Sequence, residues 1–142
     1  MSTPPPGYRL LDGPPSLDEY LELRTRSGLT PPTRDQAAAG LSGAWAAVHL
    51  VHEESGVAAG MGRVLGDGGW YFHIIDMAVL PEHQRRGLGD AVLTALLDTI
   101  RRAAPPGAYV NLLGDPPGRR LYARHGFTET APHSLGMALR LG

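Results

Sequence analysis

The chain has 142 residues, a length that fits one domain with a single core and is too short for two independent ones. Its thirteen basic residues are all arginine, and fourteen acidic residues bring the formal net charge to −1, which argues against nonspecific nucleic-acid or membrane binding as the main role. There are no cysteines, which excludes disulfides, thiolate metal sites and a cysteine nucleophile.

The first part of the chain predicts a strand followed by two helices. Its opening residues, "MSTPPPGYRL", lack the basic and apolar regions of a signal peptide, and no run approaches the roughly 18 apolar residues of a membrane span, so the expected location is cytoplasmic. A strand is predicted from Tyr8 to Leu11. The following helix has Ser16 as N-cap, Glu19 at the capping-box position and Gly28 as terminator, and a second short helix is predicted from about Thr33 to Leu41.

The middle of the chain predicts three strands and a long helix. "AWAAVHLVHEES" and "GVAAGMGRVLGDGG" are typical of two strands that are joined at Glu53 to Gly56. "WYFHIIDMAVL" is an almost continuous apolar run, as expected for a central strand covered on both faces, and it stops at Pro81. From Leu88 to Ala103 apolar residues recur at helical spacing, which predicts the clearest helix of the chain.

The last part of the chain adds strands on either side of a short helix. "PPGAYVNLLG" predicts a strand, "PPGRRLYARHG" a helix that ends at Gly126, and "FTET" and "LGMALRL" two final strands. This order predicts an α/β fold with one mixed sheet of six to seven strands and four flanking helices, in a single domain over residues 1–142.

The segment from Gln84 to Asp90, "QRRGLGD", has the features of an anion site. A helix N-terminus exposes N–H groups without partners, glycines let a phosphate come close, and the two arginines add positive charge. Two familiar phosphate motifs do not fit, because a Walker loop needs a lysine and a dinucleotide fingerprint needs a third glycine, where Val92 stands.

"QRRGLG" has the form Gln/Arg-x-x-Gly-x-Gly, with "DMAVLPEH" before it and "LYARHGF" some thirty residues later. With these motifs in this order the chain resembles the GCN5-related N-acetyltransferase (GNAT) superfamily. The resemblance implies a mostly antiparallel sheet with a splayed central strand pair, and acetyl-CoA as acyl donor without a metal. The positions that it assigns to acetyl-CoA binding are Met77, Ala78, Val79, Gln84, Arg85, Arg86, Gly87, Leu88, Gly89, Asp90, Asn111 and Asp115. Asp115 stands where the family often has an asparagine.

Tyr122 matches the family's usual general acid, which protonates the departing thiolate of CoA or donates a hydrogen bond to its sulfur. The alternative is that its ring only packs beside Phe127. The resemblance also implies direct attack in a ternary complex, and the absence of cysteine agrees with a reaction that has no acyl-enzyme.

Acetyl transfer needs a neutral amine, and the central strand offers His73 and Asp76 as candidate proton acceptors. Ideal strand alternation places two residues three apart on opposite faces, although a bulge changes this. The structural alternatives are a hydrogen-bonded core histidine and a buried structural carboxylate. His49 and His52 also have an odd separation, which argues against a metal site.

The expected partners are acetyl-CoA and a small-molecule amine, with neither nucleic acid nor membrane; a homodimer stays open. Two alternatives are a noncatalytic acyl-CoA-binding regulatory module and a protein N-acetyltransferase.

Overall fold

Five strands form one mixed sheet in the computed structural model, which describes residues 3–142. The elements in chain order are β1 (Tyr8–Asp12), α1 (Leu17–Arg26), α2 (Arg34–Gly40), β2 (Ala46–His52), β3 (Ala58–Gly66), β4 (Tyr71–Val79), α3 (Leu88–Ala103), β5 (Tyr109–Leu112) and α4 (Arg119–Arg124). Strands β1 to β4 are antiparallel neighbours in chain order, and β5 lies parallel to β4 at the edge of the sheet. The connection from β4 to β5 runs through α3, as a parallel pair requires.

Helices α1 and α2 both begin with a capping box, and the predicted start of α1 is confirmed. The Ser16 hydroxyl accepts a hydrogen bond from the Glu19 N–H, and the Glu19 carboxylate accepts one from the Ser16 N–H. Thr33 and Gln36 repeat this exchange at α2. Each box satisfies two backbone donors that the helix itself leaves without partners.

The sheet has apolar packing on both faces. On one face, α3 buries Leu88, Val92 and Leu96. On the other face, α1 and α2 share a cluster of buried residues with β3, β4 and the residue that follows β4. Its members are Tyr20, Leu23, Ala37, Ala58, Met61, Ala78 and Leu80. β4 is therefore covered on both faces, as its apolar run predicted. Within residues 3–142, no helix is long and apolar enough to cross a membrane.

The predicted count of six to seven strands is wrong, because the two expected C-terminal strands are absent. Neither "FTET" nor "LGMALRL" pairs with another strand in the described chain. The alternation in the second segment is real, but its apolar side chains are left 71% to 91% exposed: Leu135, Met137, Leu139 and Leu141. A strand needs a partner to satisfy its backbone groups, and alternation alone does not supply one.

By internal contacts the chain divides into two compact units, one ending at Leu112 and the other formed by Leu113–Gly142. The first unit contains the sheet and helices α1 to α3, and the second contains α4 and the C-terminal segment. The expectation of one domain over residues 1–142 stays a prediction.

Candidate functional site

A β-bulge interrupts β4 in its second half. Met61 of β3 pairs with Ala78, and the next pair is Arg63 with Ile75. One residue of β3 therefore faces two of β4, the first of which is Asp76. Its φ of 60° lies in the left-handed region that non-glycine residues rarely adopt. The bulge resets the alternation of side chains along the strand.

The Asp76 carboxylate is buried and accepts hydrogen bonds at both oxygens. Its Oδ1 accepts from the Tyr20 hydroxyl (3.0 Å) and from Arg24 Nη1 (2.7 Å), and its Oδ2 accepts from Arg63 Nε (2.6 Å). Burial and the Asp76 charge both raise the pKa of Tyr20, so its hydroxyl stays a proton donor. These contacts tie α1 and β3 to the bulge.

The bulge also decides where His73 lies relative to Asp76. His73 pairs with Leu65, which shares a face of β3 with Arg63, the residue that contacts Asp76. Both candidate proton acceptors are thus on the face of the sheet that α1 covers. Without the bulge, their spacing of three residues would separate them.

His73 and Asn111 are partners across the parallel β4 and β5 pair. His73 Nδ1 lies 2.5 Å from Asn111 Oδ1. In this orientation of the amide, the imidazole donates through Nδ1 to the carboxamide oxygen, which only accepts hydrogen bonds. Asn111 Nδ2 is the one buried side-chain polar atom without a partner among residues 3–142, so both N–H groups of this amide lack an acceptor there.

The remainder of β4 offers an open backbone edge. Its last partner in β5 is Leu112, opposite Ile74, and no strand of the described chain pairs with that side of β4 up to Val79. Leu80 N donates to Ala59 O (2.9 Å). The neighbouring pair of Val79 with Gly60 is therefore of the non-hydrogen-bonded kind, and the Val79 backbone groups point to the open edge. The Val79 carbonyl accepts a hydrogen bond there from Gln84 Nε2 (3.2 Å).

The loop before α3 has the backbone of an anion site. Arg85 has a φ of 62° and Gly87 a φ of 83°, so two left-handed residues turn the chain into the helix. Gly87 is the N-cap, and no side chain caps the first turn of α3. Leu88 is buried and anchors this end of the helix in the core. The geometry leaves backbone N–H groups and the positive end of a 16-residue helix to attract an anion.

Arg86 belongs to a hydrogen-bonded series beside this loop. Arg86 Nη1 donates to the Tyr8 hydroxyl (3.1 Å), whose oxygen lies 2.6 Å from His83 Nδ1. The arginine donates to the hydroxyl, and a second hydrogen bond joins the hydroxyl to His83. Burial lowers the pKa of His83, and the charges of His52 and Arg86 lower it further. The lowered pKa favours the neutral imidazole at His83.

Tyr122 lies on α4 in the second unit. Burial raises the pKa of its hydroxyl, and the charge of Asp115 adds to the rise. Its ring meets Phe127 edge to face at 6.2 Å between centroids. A Cβ added at Gly118 would lie 2.8 to 3.0 Å from the ring and hydroxyl of Tyr122, so this glycine permits the ring position. Tyr122 packs beside Phe127 and also keeps a protonated hydroxyl at neutral pH.

Some sequence-predicted residues share a neighbourhood and others do not. His49 Nδ1 lies 2.8 Å from Gly13 O and His52 Nδ1 lies 2.7 Å from Ser55 Oγ, so the two histidines have different partners. In the part of the chain that the structure describes, no group of three or more potential metal ligands occurs. The sequence prediction missed the arginines at Asp76. Arg24 lies four residues after Tyr20 on the same side of α1, and a charged residue at such a core-facing position is the available signal.

Comparisons with known proteins lead to the same family that the sequence motifs resemble. Residues 16–127 match the Acetyltransferase (GNAT) family. The chain belongs to the GNAT acetyltransferase family. No curated protein matches the sequence.

Solved structures extend the comparison to most of the GNAT chain. A protein of unknown function from Staphylococcus aureus, a probable acetyltransferase, is 34% identical, with 94% of this chain and 99% of that one covered and a TM-score of 0.89. Glucosamine-6-phosphate N-acetyltransferase from Arabidopsis thaliana is 18% identical, with 95% and 99% covered and a TM-score of 0.72. Ribosomal-protein-S18-alanine N-acetyltransferase from Escherichia coli is 20% identical, with 87% and 79% covered and a TM-score of 0.71. The last two show a shared fold.

Proposed function

We propose that this GNAT protein transfers the acetyl group of acetyl-CoA to a primary amine, by direct attack in a ternary complex. The observation that carries the proposal is a combination within the first unit. An uncapped helix N-terminus with two left-handed loop residues follows directly after a strand whose edge is open. Acetyl-CoA combines a pyrophosphate with an amide-containing arm, and these two features suit those two groups.

Each part of the donor has candidate partners. We assign the pyrophosphate to the loop from Gln84 to Asp90 and the pantetheine arm to the β4 edge from Met77 to Val79. Val79 contributes backbone groups, whereas the pairing of Ala78 with Met61 directs the Ala78 backbone into the sheet. Asn111 brings the unused Nδ2 donors, and Asp115 is assigned to the donor only from its position in the family motif. No step of the proposed reaction uses a metal.

His73 is the proposed proton acceptor. With a lysine-like pKa, less than about one amine in a thousand is neutral at pH 7, so proton removal assists attack. The contact with Asn111 Oδ1 engages Nδ1 of His73, so we assign the contact with the amine to Nε2. As the amine nitrogen bonds to the acetyl carbon and the carbon–sulfur bond breaks, the excess proton leaves the nitrogen towards this base.

Tyr122 is the proposed donor to the departing sulfur. This assignment rests on its position in the family motif "LYARHGF". A raised pKa keeps its proton in place at neutral pH and makes it a weaker acid than an ordinary thiol. We therefore assign it a hydrogen bond to the developing thiolate rather than a complete proton transfer.

Asp76 has a different proposed role. Both carboxylate oxygens accept hydrogen bonds from guanidinium or hydroxyl groups, which leaves little capacity for a substrate proton. Of the two alternatives that the sequence left open, these contacts favour the structural one. Asp76 would hold the bulge, and with it the face that carries His73.

A small-molecule amine is the proposed acceptor, in a cytoplasmic protein. The two named neighbours differ in the acceptor that their names state, one an amino sugar phosphate and the other a protein alanine. The formal net charge of −1 gives this chain no general attraction for an acidic partner and none of the strong negative charge that suits a basic protein tail.

A turnover screen tests the proposal. The purified chain is incubated with acetyl-CoA and amines of several classes, including sugar amines, amino acids, polyamines and N-terminal peptides, and released thiol is measured. The protein contains no cysteine, so every thiol signal comes from CoA. Turnover with a small amine supports the proposal, turnover with peptides alone identifies a protein acetyltransferase, and CoA binding without turnover identifies the noncatalytic module.

The same assay tests the proposed proton acceptor, His73, and the proposed hydrogen-bond donor, Tyr122. Tyr122→Phe and His73→Gln should each reduce kcat by about 10²- to 10⁴-fold while CoA affinity changes little. Tyr109→Phe, which changes an exposed tyrosine hydroxyl on β5, is the matched control. Normal turnover in either test variant would refute the role of that residue.

A further inference from the structure

The first residue of β1 contacts the loop that precedes α3. Tyr8 is 6% exposed, and its ring contacts two imidazoles, with ring centroids 5.2 Å from His52 and 5.6 Å from His83. Its hydroxyl lies 2.6 Å from His83 Nδ1 and accepts a hydrogen bond from Arg86 Nη1 (3.1 Å). Because the ring is buried and packed, the hydroxyl has a fixed position beside the loop.

The turn before β1 approaches the same loop by a second route. The Tyr8 N–H donates to the Pro5 carbonyl (3.2 Å), and the Glu53 N–H donates to the Gly7 carbonyl (2.9 Å). These bonds hold the turn against the end of β2. A Cβ added at Gly87 would lie 3.8 Å from Pro5 Cγ, so the turn lies next to the N-cap of α3.

Arg86 keeps donors for an anion while it contacts Tyr8. A guanidinium carries N–H groups on all three of its nitrogens. Among residues 3–142, only Nη1 of Arg86 makes a hydrogen bond, so the other nitrogens keep the fork of donors that suits phosphate oxygens. A long side chain loses rotamer freedom when it binds a ligand, and a hydrogen bond that restricts the side chain in advance reduces this cost.

We propose that Tyr8 is a positioning residue of the donor site: its hydroxyl holds the Arg86 guanidinium beside the loop, in place for the phosphates of CoA. The inference rests on the proposed assignment of the pyrophosphate to that loop. In this role Tyr8 acts through Arg86. It therefore strengthens the binding of a donor that carries phosphate and contributes nothing to the binding of pantetheine, which carries none.

Tyr8→Phe tests the role, because it removes the hydroxyl and keeps the ring. Dissociation constants for CoA and for pantetheine are measured by isothermal titration calorimetry. We expect the Kd of CoA to rise about 3- to 10-fold, the effect of losing the restriction on one long side chain, and the Kd of pantetheine to stay the same. Unchanged or tighter CoA binding in Tyr8→Phe would refute the role.

Tyr20→Phe is the matched control. Tyr20 is equally buried, at 5% exposed, and its hydroxyl also contacts a charged group, the Asp76 carboxylate. A loss of packing or stability affects both ligands alike, so this variant should leave the ratio of the two dissociation constants unchanged. If Tyr20→Phe lowered the preference for CoA as much as Tyr8→Phe, the effect of Tyr8 would be a general one and the inference would fail.

A double-mutant cycle tests whether Tyr8 acts through Arg86. Arg86→Met removes every N–H of the side chain and keeps an unbranched stem. If the hydroxyl acts through the guanidinium, Arg86→Met and the double variant bind CoA equally well. A further several-fold loss of CoA affinity in the double variant would overturn the inference. Failure of the pyrophosphate assignment itself gives a different result, since the natural chain would then bind CoA no more tightly than pantetheine, and the inference would fall with it.

Discussion

Asp76 joins three parts of the first unit through one carboxylate. Tyr20 and Arg24 reach it from α1, and Arg63 reaches it from β3. A buried charge of this kind is stabilising only while its partners are present, because each charged group has lost its water. Its left-handed backbone adds a second restriction, which asparagine satisfies better than most residues.

Replacement of Asp76 by asparagine should therefore destabilise the protein. Asn keeps the shape and tolerates the left-handed backbone, but it leaves two guanidinium groups without their carboxylate, at a cost of about 3 kcal/mol or more. The free energy of unfolding is measured by urea titration.

Asp18→Asn is the control for this charge change. Its carboxylate pairs with Arg34 at 2.8 Å, but the side chains are 80% and 63% exposed, so about 1 kcal/mol or less is expected. Equal losses in the two variants would show that the buried cluster contributes no more than a surface ion pair.

Helix α3 packs closely on β3 at Gly62, where the space admits no side chain. A Cβ added at Gly62 would lie 2.7 Å from Val92 Cγ1, 2.8 Å from Met77 Sδ and 2.9 Å from a methyl group of Leu96. Gly62 is also the β3 residue opposite the bulge. Helix packing and the bulge of β4 are thus coupled at one position.

Gly62→Ala should destabilise the protein by about 1–3 kcal/mol, because α3 has to move away from the sheet to admit one methyl group. Gly60→Ala, two residues away on the same strand, is the matched control. Its added Cβ would find its nearest neighbours at 3.6 to 3.7 Å, an ordinary contact. Thermal unfolding of both variants measures this difference in stability. A Gly62 variant as stable as the Gly60 variant would mean that α3 shifts without cost.

Local features of this chain were predictable from sequence, and features that depend on distant partners were not. The capping box at Ser16 depends on residues three apart, and the loop at Gly87 depends on neighbouring glycine and helix signals. The bulge at Asp76 depends on the register between β3 and β4, which no short pattern records. The contact of Arg63 with Asp76 depends on that bulge in turn.

The C-terminal segment shows the same limit at the scale of the whole chain. Its alternation from Leu135 to Leu141 indicated a strand, but the structure has no regular secondary structure there and leaves the apolar side chains exposed. Alternation specifies which face of a strand is apolar, whereas pairing depends on an available edge. In contrast, two short motifs, "QRRGLG" and "LYARHGF", identified the family without any knowledge of strand pairing.

Binding of CoA should raise the thermal stability of the whole chain. If the loop before α3 holds the pyrophosphate, CoA stabilises the folded chain and pantetheine, which lacks phosphate, does so much less. At 100 times the dissociation constant, CoA adds about 2.7 kcal/mol to the free energy of unfolding. For a chain of this length that corresponds to a rise in Tm of roughly 8 °C. The measurement is the shift in Tm by differential scanning fluorimetry with each ligand at equal concentration.

Salt and two arginine variants separate the phosphate contribution from the rest. Raising the ionic strength from about 0.1 to 1 M shortens the Debye length from about 10 to 3 Å and should reduce the CoA shift, with little effect on pantetheine. Arg86→Gln removes a charge from the loop and should also reduce the CoA shift. Arg101→Gln removes an exposed charge from the last turn of α3, far along the helix from the loop, and should leave it unchanged. Equal shifts with CoA and pantetheine would place the binding energy on the β4 edge and remove the anion role of the loop.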